Sequence, residues 1–344
     1  MTGAGAPARD AMTQDGPLLT VVIPFFQRER GILAQAVRSV LAQECDFAFD
    51  IIVVDDQSPV PAQDEIGDLI AAHPGRITLL DRPNGGPGAA RNTALDSLPR
   101  DRRYVAFIDS DDTWEPDHLA TGVAVLERGP TFFFSNLFHL DQDTNKFDRE
   151  VVNNHPNRFR DGELRPIDGL DQCFTYQGDM FDRIFYSGNA MMPQTVIYSF
   201  RDFPDARFEE KYRNMGEDYL FFGVIAKAGA TYGLSWRPSV RCGHGVNVFE
   251  KSGYGTPTFL SRLADERTYR LYAARRWGTT DSQRRRLNEL LGTVRTNAAM
   301  MVARSLARFD FAALAPLPRY LRCDPMFPLL FPFYLARALL RGLG

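Results

Sequence analysis

The chain has few cysteines and no long apolar run, and each scarcity excludes a class of protein. Its four cysteines lie far apart without a Cys-x-x-Cys pair. We therefore expect neither a zinc site nor a disulfide framework, and reduced thiols fit the cytoplasm. No run of about 18 apolar residues is present, which argues against a membrane-spanning helix. Residues 1–17 lack a charged start followed by an apolar core, so they are predicted to be a disordered tail and not a signal peptide.

Lysine is absent from the C-terminal part, where arginine supplies the positive charge. Residues 256–344 contain 15 arginines and 6 acidic residues, a net charge of +9, whereas the whole chain has a formal net charge of -3. An anionic lipid surface would suit this segment, and a solvated helical face is the ordinary alternative. No recognition motif accompanies the charge, so we expect no nucleic-acid partner. Residues 325–336 are apolar but broken by prolines, which fits either a membrane interface or a tail that packs on the core.

Strand-like and helix-like patterns alternate in the first part of the chain. The alternating segments are 19–24, 31–43, 51–54, 63–72, 77–80, 89–98 and 104–108. Such alternation predicts an α/β fold with a doubly wound, mainly parallel sheet. After about residue 130 the pattern changes to a Phe-rich strand and polar loops, and helical patterns return at 217–228 and from about residue 256.

Acidic side chains directly follow two of the predicted strands. One strand ends in Asp109, Asp111 and Asp112, and another ends in Asp55 and Asp56. Ligands of open α/β sheets bind at the carboxyl ends of strands, and hard divalent cations prefer oxygen ligands. The first cluster therefore either holds a cation against a phosphate or is a turn that stops the strand. The second pair either binds the polar groups of a nucleoside or caps the next helix.

A glycine-rich loop at residues 84–92 precedes a predicted helix. It places Gly86 before the helix and Arg91 within its first turn. Backbone amides at a helix start, together with a guanidinium, form an anion site. The alternative is a tight turn that merely requires glycine.

Two further motifs carry titratable side chains. Glu217 and Asp218 stand immediately before an apolar helical run, where they either cap the helix or supply a general base. His244 lies between two glycines. There it is either a ligand that the backbone allows close to a bound group or a histidine of a flexible loop.

In their order and spacing, these motifs resemble the inverting nucleotide-sugar glycosyltransferases of family 2, which have the GT-A fold. The resemblance covers about residues 18–244. It rests on Val-Ile-Pro-Phe-Phe at 22–26, Val-Val-Asp-Asp-Gln-Ser at 53–58, Asn-Gly-Gly and Ala-Arg-Asn within 84–92, Asp-Ser-Asp at 109–111 and Gly-Glu-Asp at 216–218. In one departure from the family pattern, Gln57 replaces the usual glycine after the acidic pair.

The resemblance implies a division of the chain and a role for each matched residue. Residues 18–130 form the nucleotide-sugar-binding half of the GT-A domain, residues 131–255 form a smaller mixed half with the acceptor site and catalytic base, and residues 256–344 form a basic helical extension. The implied catalytic residues are Asp218, as the base, and Glu217. Mg or Mn is held by Asp111, Asp109 and His244. The implied nucleotide-sugar contacts are Pro24, Phe25, Asp55, Asp56, Gly86, Arg91 and Asp109.

The implied reaction is metal-assisted transfer of a sugar, with inversion, from a nucleotide diphosphate sugar to a hydroxyl group. We expect a UDP-sugar donor and a saccharide or lipid-linked acceptor, in polysaccharide or glycoconjugate synthesis. One alternative is a phosphatase of the haloacid dehalogenase type with Asp109 as nucleophile, although three strands precede that residue. Another is a non-catalytic sugar-nucleotide-binding protein. The expected location is the cytoplasm, with the extension at the inner membrane face, packed on the catalytic domain or in a homodimer contact.

Overall fold

The structure is a computed structural model that describes residues 16–139, 142–153, 155, 158–213, 215–243, 256 and 258–341. The predicted N-terminal tail lies outside the described residues except for its last two positions. The predicted metal ligand His244 also lies outside them.

The described strands form one mixed sheet in which most strands run in the same direction. They are β1 (Leu19–Phe25), β2 (Phe49–Asp55), β3 (Ile77–Asp81), β4 (Tyr104–Phe107), β5 (Thr113–Trp114), β6 (Phe132–Phe138), β7 (Leu164–Pro166), β8 (Cys173–Tyr176), β9 (Val196–Ser199) and β10 (Tyr232–Arg241). Their order is β3-β2-β1-β4-β9-β6-β10-β8-β7, and β5 pairs with β10. Strands β5, β8 and β9 run opposite to the others. The predicted mainly parallel sheet is therefore confirmed.

Helices follow most of the strands and continue to the C-terminal end of the described chain. They are α1 (Ile32–Leu41), α2 (Ala62–Ala72), α3 (Pro87–Ser97), α4 (His118–Leu126), α5 (Lys146–Val152), α6 (Met180–Asp182), α7 (Glu217–Lys227), α8 (Phe259–Trp277), α9 (Asp281–Ala307), α10 (Leu317–Cys323) and α11 (Phe327–Arg341). The prediction missed α5, which lies in the polar stretch after β6. Asn145 caps this helix by accepting a hydrogen bond from the backbone N–H of Asp148.

The two faces of the sheet bury separate hydrophobic clusters. On β1, Val21 and Ile23 face the cluster that contains α1, α2 and α4, whereas Val22 faces the cluster that contains α3 and α7. This alternation follows from the two-residue period of a strand. Both faces are covered by helices, as expected for a doubly wound sheet.

The carboxyl ends of three parallel strands lie at one edge of the sheet. Phe25 at the end of β1 pairs with Asp55 at the end of β2. On the other side of β1, Val22 pairs with Phe107. This register sets Asp109, two residues beyond Phe107, close to the end of β1. The acidic strand ends therefore share one edge, as their sequence positions predicted.

The C-terminal extension contributes to two hydrophobic clusters. Tyr269 of α8 and Leu287 of α9 belong to the cluster that includes α3 and α7. The other ends of α8 and α9, together with α10 and α11, form a separate cluster around Tyr320 and Phe327, which we call the C-terminal cluster. The extension is thus partly built into the main core. Within the described residues, no helix is both long and apolar enough to cross a membrane.

Candidate active site

The turn after β4 brings three carboxylates together. Asp112 is buried, and its backbone N–H donates to the carbonyl of Asp109 at 3.1 Å. Burial, followed by the negative charges of Asp109 and Asp111, raises the pKa of Asp112 well above its usual range. Asp109 is 32% exposed and Asp111 is also accessible. The turn therefore concentrates negative charge at the edge of the sheet, as a cation site does.

The chain segment just before His244 contacts this acidic turn. The backbone N–H of Gly243 donates to Oδ1 of Asp112 at 2.9 Å. A Cβ atom at residue 243 would overlap the carbonyl oxygen of Asp111, so the close approach requires glycine here. Gly243, the first glycine of the Cys-Gly-His-Gly sequence, thus allows a close backbone contact with the acidic turn.

The described side chains of the acidic turn need further ligands, such as substrate phosphates, to hold a divalent cation. Within the described part of the chain, no three His, Cys, Asp or Glu side chains form a group able to hold a metal ion. Protein sites for Mg²⁺, however, often use one or two carboxylates together with substrate phosphates. The crowded charges of Asp109 and Asp111 match that pattern.

The glycine-rich loop binds a carboxylate of the protein itself. The backbone N–H groups of Gly85 and Gly86 donate to the two oxygens of Asp56, at 2.9 and 2.7 Å. Asp56 is buried, and Nε of Arg82 lies 3.5 Å from its Oδ1. The anion on these amides is therefore the Asp56 side chain. Direct contact of Asp56 or Gly86 with a nucleotide sugar stays a prediction.

Asp55 fixes the loop that leads into α2. Its two oxygens accept hydrogen bonds from the backbone N–H groups of Ser58 and Ala62, at 2.6 and 2.7 Å. This is the helix-capping alternative, and nucleoside binding by Asp55 stays a prediction. Between Asp55 and Ser58, Gln57 has φ of 58°, in the left-handed region that favours glycine. Gln57, which replaces the usual glycine of the family, thus adopts a backbone conformation in which glycine would be less strained.

The end of β1 connects the loops around it. Pro24 and Phe25 are buried, and the carbonyl of Phe25 accepts a hydrogen bond from the backbone N–H of Asp56 at 2.9 Å. Nε2 of Gln27 donates to Oγ of Ser110 in the acidic turn at 3.2 Å. Phe25 therefore helps to position the loop after β2, and contact of Pro24 and Phe25 with a nucleoside stays a prediction.

Arg91 joins the two predicted halves of the site. It is 2% exposed, and its Nη2 lies 2.5 Å from Oδ1 of Asp109. Its Nη1 lies 3.8 Å from Oε1 of Glu217 at the start of α7. Nε and Nη1 of Arg91 are buried and have no hydrogen-bond partner among the residues that the structure describes. The guanidinium thus holds two predicted site carboxylates in one network, and its contact with a diphosphate stays a prediction.

The two carboxylates at the start of α7 have raised pKa values. Burial, with Asp218 as the next cause, raises the pKa of Glu217 to about 8, although Arg91 acts in the opposite direction. Burial also raises the pKa of Asp218, and the backbone N–H of Tyr219, which donates to its Oδ1 at 2.8 Å, opposes the rise. Carboxylates held in this way are suited to proton transfer near neutral pH.

Similarity to known proteins identifies the family to which this chain belongs. The family described as "Glycosyl transferase family 2" matches residues 20–185. The succinoglycan biosynthesis protein ExoW of Rhizobium meliloti is 33% identical over 245 residues, which are 71% of this chain and 74% of ExoW. The chain belongs to glycosyltransferase family 2. The resemblance inferred from the motifs is confirmed.

Two further proteins are similar to this chain at lower identity or over a shorter range. The putative teichuronic acid biosynthesis glycosyltransferase TuaG of Bacillus subtilis is 32% identical over 141 residues, which are 41% of this chain and 54% of TuaG. Among solved structures, the mannosyltransferase PcManGT from Pyrobaculum calidifontis, in complex with GDP-Man and Mn²⁺, is 18% identical. Its TM-score is 0.53, with 95% of this chain and 87% of that chain covered, which shows a common fold.

The family assignment decides between the predicted enzyme classes. This family 2 glycosyltransferase is an enzyme, so the non-catalytic alternative is not supported, and neither is the phosphatase alternative. The strand order also argues against the phosphatase alternative, because three other strands precede β4, the strand that Asp109 follows. Within the sheet, β4 pairs with β1 and β9.

Two residues of this glycosyltransferase that the sequence did not single out connect the halves of the site. Buried Asn92, next to Arg91, accepts from the backbone N–H of Phe208 at 2.8 Å and donates to the carbonyl of Phe208 at 3.0 Å. Exposed Arg213 donates to the carbonyl of Asn84 at 3.2 Å, and a Cβ added at Gly86 would lie 3.2 Å from its Cγ. The Asn of the Ala-Arg-Asn motif was the available signal for the first contact.

We expect Asn92→Ala to lower the free energy of unfolding by about 2 to 3 kcal/mol. The change leaves the buried N–H and carbonyl of Phe208 without their partners, and each such group costs about 1 to 3 kcal/mol. Thermal or urea unfolding measures the loss. Thr93→Ala is the matched control on α3, since its hydroxyl bonds the Ala89 carbonyl within the same helix. Equal stability of the Asn92 variant and the control would refute the role of Asn92.

Proposed function

We propose that this glycosyltransferase moves a sugar from a nucleotide diphosphate sugar, with a UDP-sugar as the first candidate, to a hydroxyl of a saccharide or lipid-linked acceptor. The observation that carries the proposal is the contact of Arg91 with both Asp109 and Glu217. It links the proposed donor side of the site to the proposed base side. The names of ExoW and TuaG support a role in polysaccharide or glycoconjugate synthesis.

Asp218 is the proposed general base. It removes the proton of the acceptor hydroxyl while that oxygen attacks the anomeric carbon from the side opposite the diphosphate, so the configuration inverts. Its raised pKa makes it a stronger base than an ordinary aspartate. Glu217, with a pKa of about 8, is mostly protonated at neutral pH and is therefore less suited to accept the proton.

The donor lies, in this proposal, along the carboxyl ends of β1, β2 and β4. Asp109 and Asp111 hold Mg or Mn there, with His244 as a further ligand. When bound, such a cation offsets the charge that develops on the leaving diphosphate. Arg91 keeps Asp109 in place. The other proposed donor contacts are Pro24, Phe25, Asp55, Asp56 and Gly86.

The proposed division of labour follows the segments inferred from the sequence. Residues 18–130 bind the donor, residues 131–255 bind the acceptor and supply the base, and residues 256–344 form the basic extension. We place the enzyme in the cytoplasm, peripheral to the inner face of the cell membrane. The +9 charge of the extension and a lipid-linked acceptor class support this location.

Thermal unfolding with a panel of UDP-sugars and GDP-sugars, with Mg, Mn or EDTA, tests the proposal. We expect one donor to raise Tm only when a divalent cation is present, because a ligand at about a hundred times its Kd stabilises the fold by about 2.7 kcal/mol. The same donor should release its nucleoside diphosphate when acceptor is added.

Asp111→Asn should remove most of the cation-dependent part of this rise in Tm. Asp117→Asn is the matched control, because Asp117 pairs with Arg237 outside the acidic turn. A donor-induced rise that is the same in EDTA, or that survives Asp111→Asn unchanged, would show that the cation role is wrong. No rise with any nucleotide sugar would contradict the donor class.

A further inference from the structure

The large apolar side chains that the structure exposes are concentrated near the C terminus. Among the described residues, Val151 and Val152 are the exceptions. The others lie between residues 306 and 340, and we call this set the C-terminal apolar face: Leu306, Phe309, Phe311, Met326, Leu329, Phe333, Leu339 and Leu340. Their exposed fractions range from 50% to 80%. An apolar concentration of this kind marks an interaction surface.

Helix α11 shows the pattern most clearly, because it is apolar on two sides. Phe327, Phe331 and Leu335 pack against the C-terminal cluster. Leu329 and Phe333, four residues apart on the outward side, are 74% and 63% exposed. A helix that only covered a core would carry polar residues outward, yet residues 327–341 contain no acidic residue.

Most charges next to this face are basic, although exposed Asp310 lies between Phe309 and Phe311. Exposed Arg308 ends α9 immediately before Phe309, and exposed Arg322 lies in the last turn of α10. The acidic residue Asp324 is fully buried and pairs with Arg295 and Arg267. It therefore offers no negative charge at the surface.

We propose that the C-terminal apolar face inserts into the interface of an anionic phospholipid bilayer, with α11 lying along the membrane plane. Apolar side chains bordered by arginines are the composition of interfacial helices. A symmetric contact with a second copy would place the arginines of both copies against each other, which is unfavourable. The bilayer offers both an apolar phase and negative charge, and thus satisfies both parts of this surface.

The fold connects this face to α7, the helix that begins with Glu217 and the proposed base Asp218. Phe259 at the start of α8 packs in the C-terminal cluster. Ten residues later, Tyr269 lies against Gly216, directly before Glu217. At 1.5 Å per residue, these points are about 15 Å apart along α8. A membrane-bound enzyme would hold its site near the head groups. This consequence rests on the proposed lipid-linked acceptor, whereas membrane binding itself does not.

Co-sedimentation of the full chain with lipid vesicles tests the proposal. We expect binding to vesicles of phosphatidylglycerol mixed with phosphatidylcholine, and weaker binding to pure phosphatidylcholine or at high salt. The combined variant Leu329→Ser, Phe333→Ser and Leu340→Ser should weaken binding at least about a hundredfold, since each buried apolar side chain contributes roughly tenfold. Val152→Ser, at an 81% exposed valine elsewhere, is the matched control and should bind normally.

A second variant keeps the apolar side chains and removes charge. Arg308→Gln with Arg322→Gln should weaken binding to anionic vesicles by about fivefold for each arginine. Arg100→Gln, at an exposed arginine paired with Asp205, is its control. If the serine variant does not fold by circular dichroism, this pair decides the test.

Three results would overturn the proposal. The wild type could fail to bind anionic vesicles, or both variants could bind as well as the wild type. Alternatively, sedimentation equilibrium could show a dimer that the serine variant abolishes, which would make a second copy the occupant. Transfer to a water-soluble acceptor is expected to survive both variants, so failure of membrane binding and failure of the proposed reaction remain distinguishable.

Discussion

Asp218→Asn is expected to lower kcat by about 100- to 10,000-fold, the usual loss when a positioned general base is removed. Asparagine keeps the size of the side chain and its hydrogen bond from the Tyr219 N–H, but it cannot take a proton. Donor binding should therefore remain. The measurements are kcat from release of the nucleoside diphosphate and Kd of the donor from titration.

The pH dependence of the wild type gives this prediction a second readout. The base must be deprotonated, so kcat should fall as the pH drops through the Asp218 pKa, which lies above the ordinary 3.8. The residual activity of the Asp218 variant should lack this fall. Glu217→Gln is the matched control, because glutamine resembles the protonated form that Glu217 adopts below pH of about 8. If Glu217→Gln lost the greater activity, the base would be Glu217.

The alternating patterns predicted the sheet because they report local periodicity and burial. Parallel strands that are buried on both faces give short apolar runs, and their carboxyl ends necessarily share an edge. The sequence alone therefore predicted that the acidic residues at the ends of β2 and β4 lie close together. Helix α5 was missed because its seven residues, Lys146–Val152, are too few to show a helical period among polar neighbours.

The partners of the site residues could not be predicted, because they depend on contacts between distant segments. Asp56 binds the amides of the glycine loop about thirty residues later, a contact that the sequence did not indicate, and its contact with a ligand stays a prediction. Arg91 contacts Asp109 and Glu217, which the sequence did not indicate either, and its contact with a diphosphate stays a prediction. Residue type and spacing show that a charge is present. They do not show which of several nearby groups of opposite charge pairs with it.

Arg91→Met is expected to lower both the stability and the activity of the enzyme. Methionine fills much of the same space but leaves Asp109 and Glu217 without their positive partner. Loss of one partner of a fully buried pair costs about 3 to 5 kcal/mol, and we expect about 2 to 3 kcal/mol here because water reaches Asp109. Urea unfolding measures the loss, and kcat should fall because Asp109 is no longer held in place.

The loss of stability should grow as the pH rises. The folded pKa of Glu217, about 8, exceeds its ordinary value of 4.5, so this residue favours the folded state at low pH, and that contribution disappears as the pH rises through about 8. Arg91 lowers this pKa, and without Arg91 the charged form of Glu217 becomes more costly still.

Unfolding below and above pH of about 8 therefore separates an electrostatic role of Arg91 from simple packing. Arg100→Met is the matched control, because its ion pair with Asp205 is exposed on both sides and contributes less than about 1 kcal/mol. A stability loss for Arg91→Met that is independent of pH would mean that the guanidinium acts through Asp109 or its contact with the Phe208 ring and not through Glu217. The coupling of donor and base sides through one arginine would then be wrong, even if both sides bind their substrates.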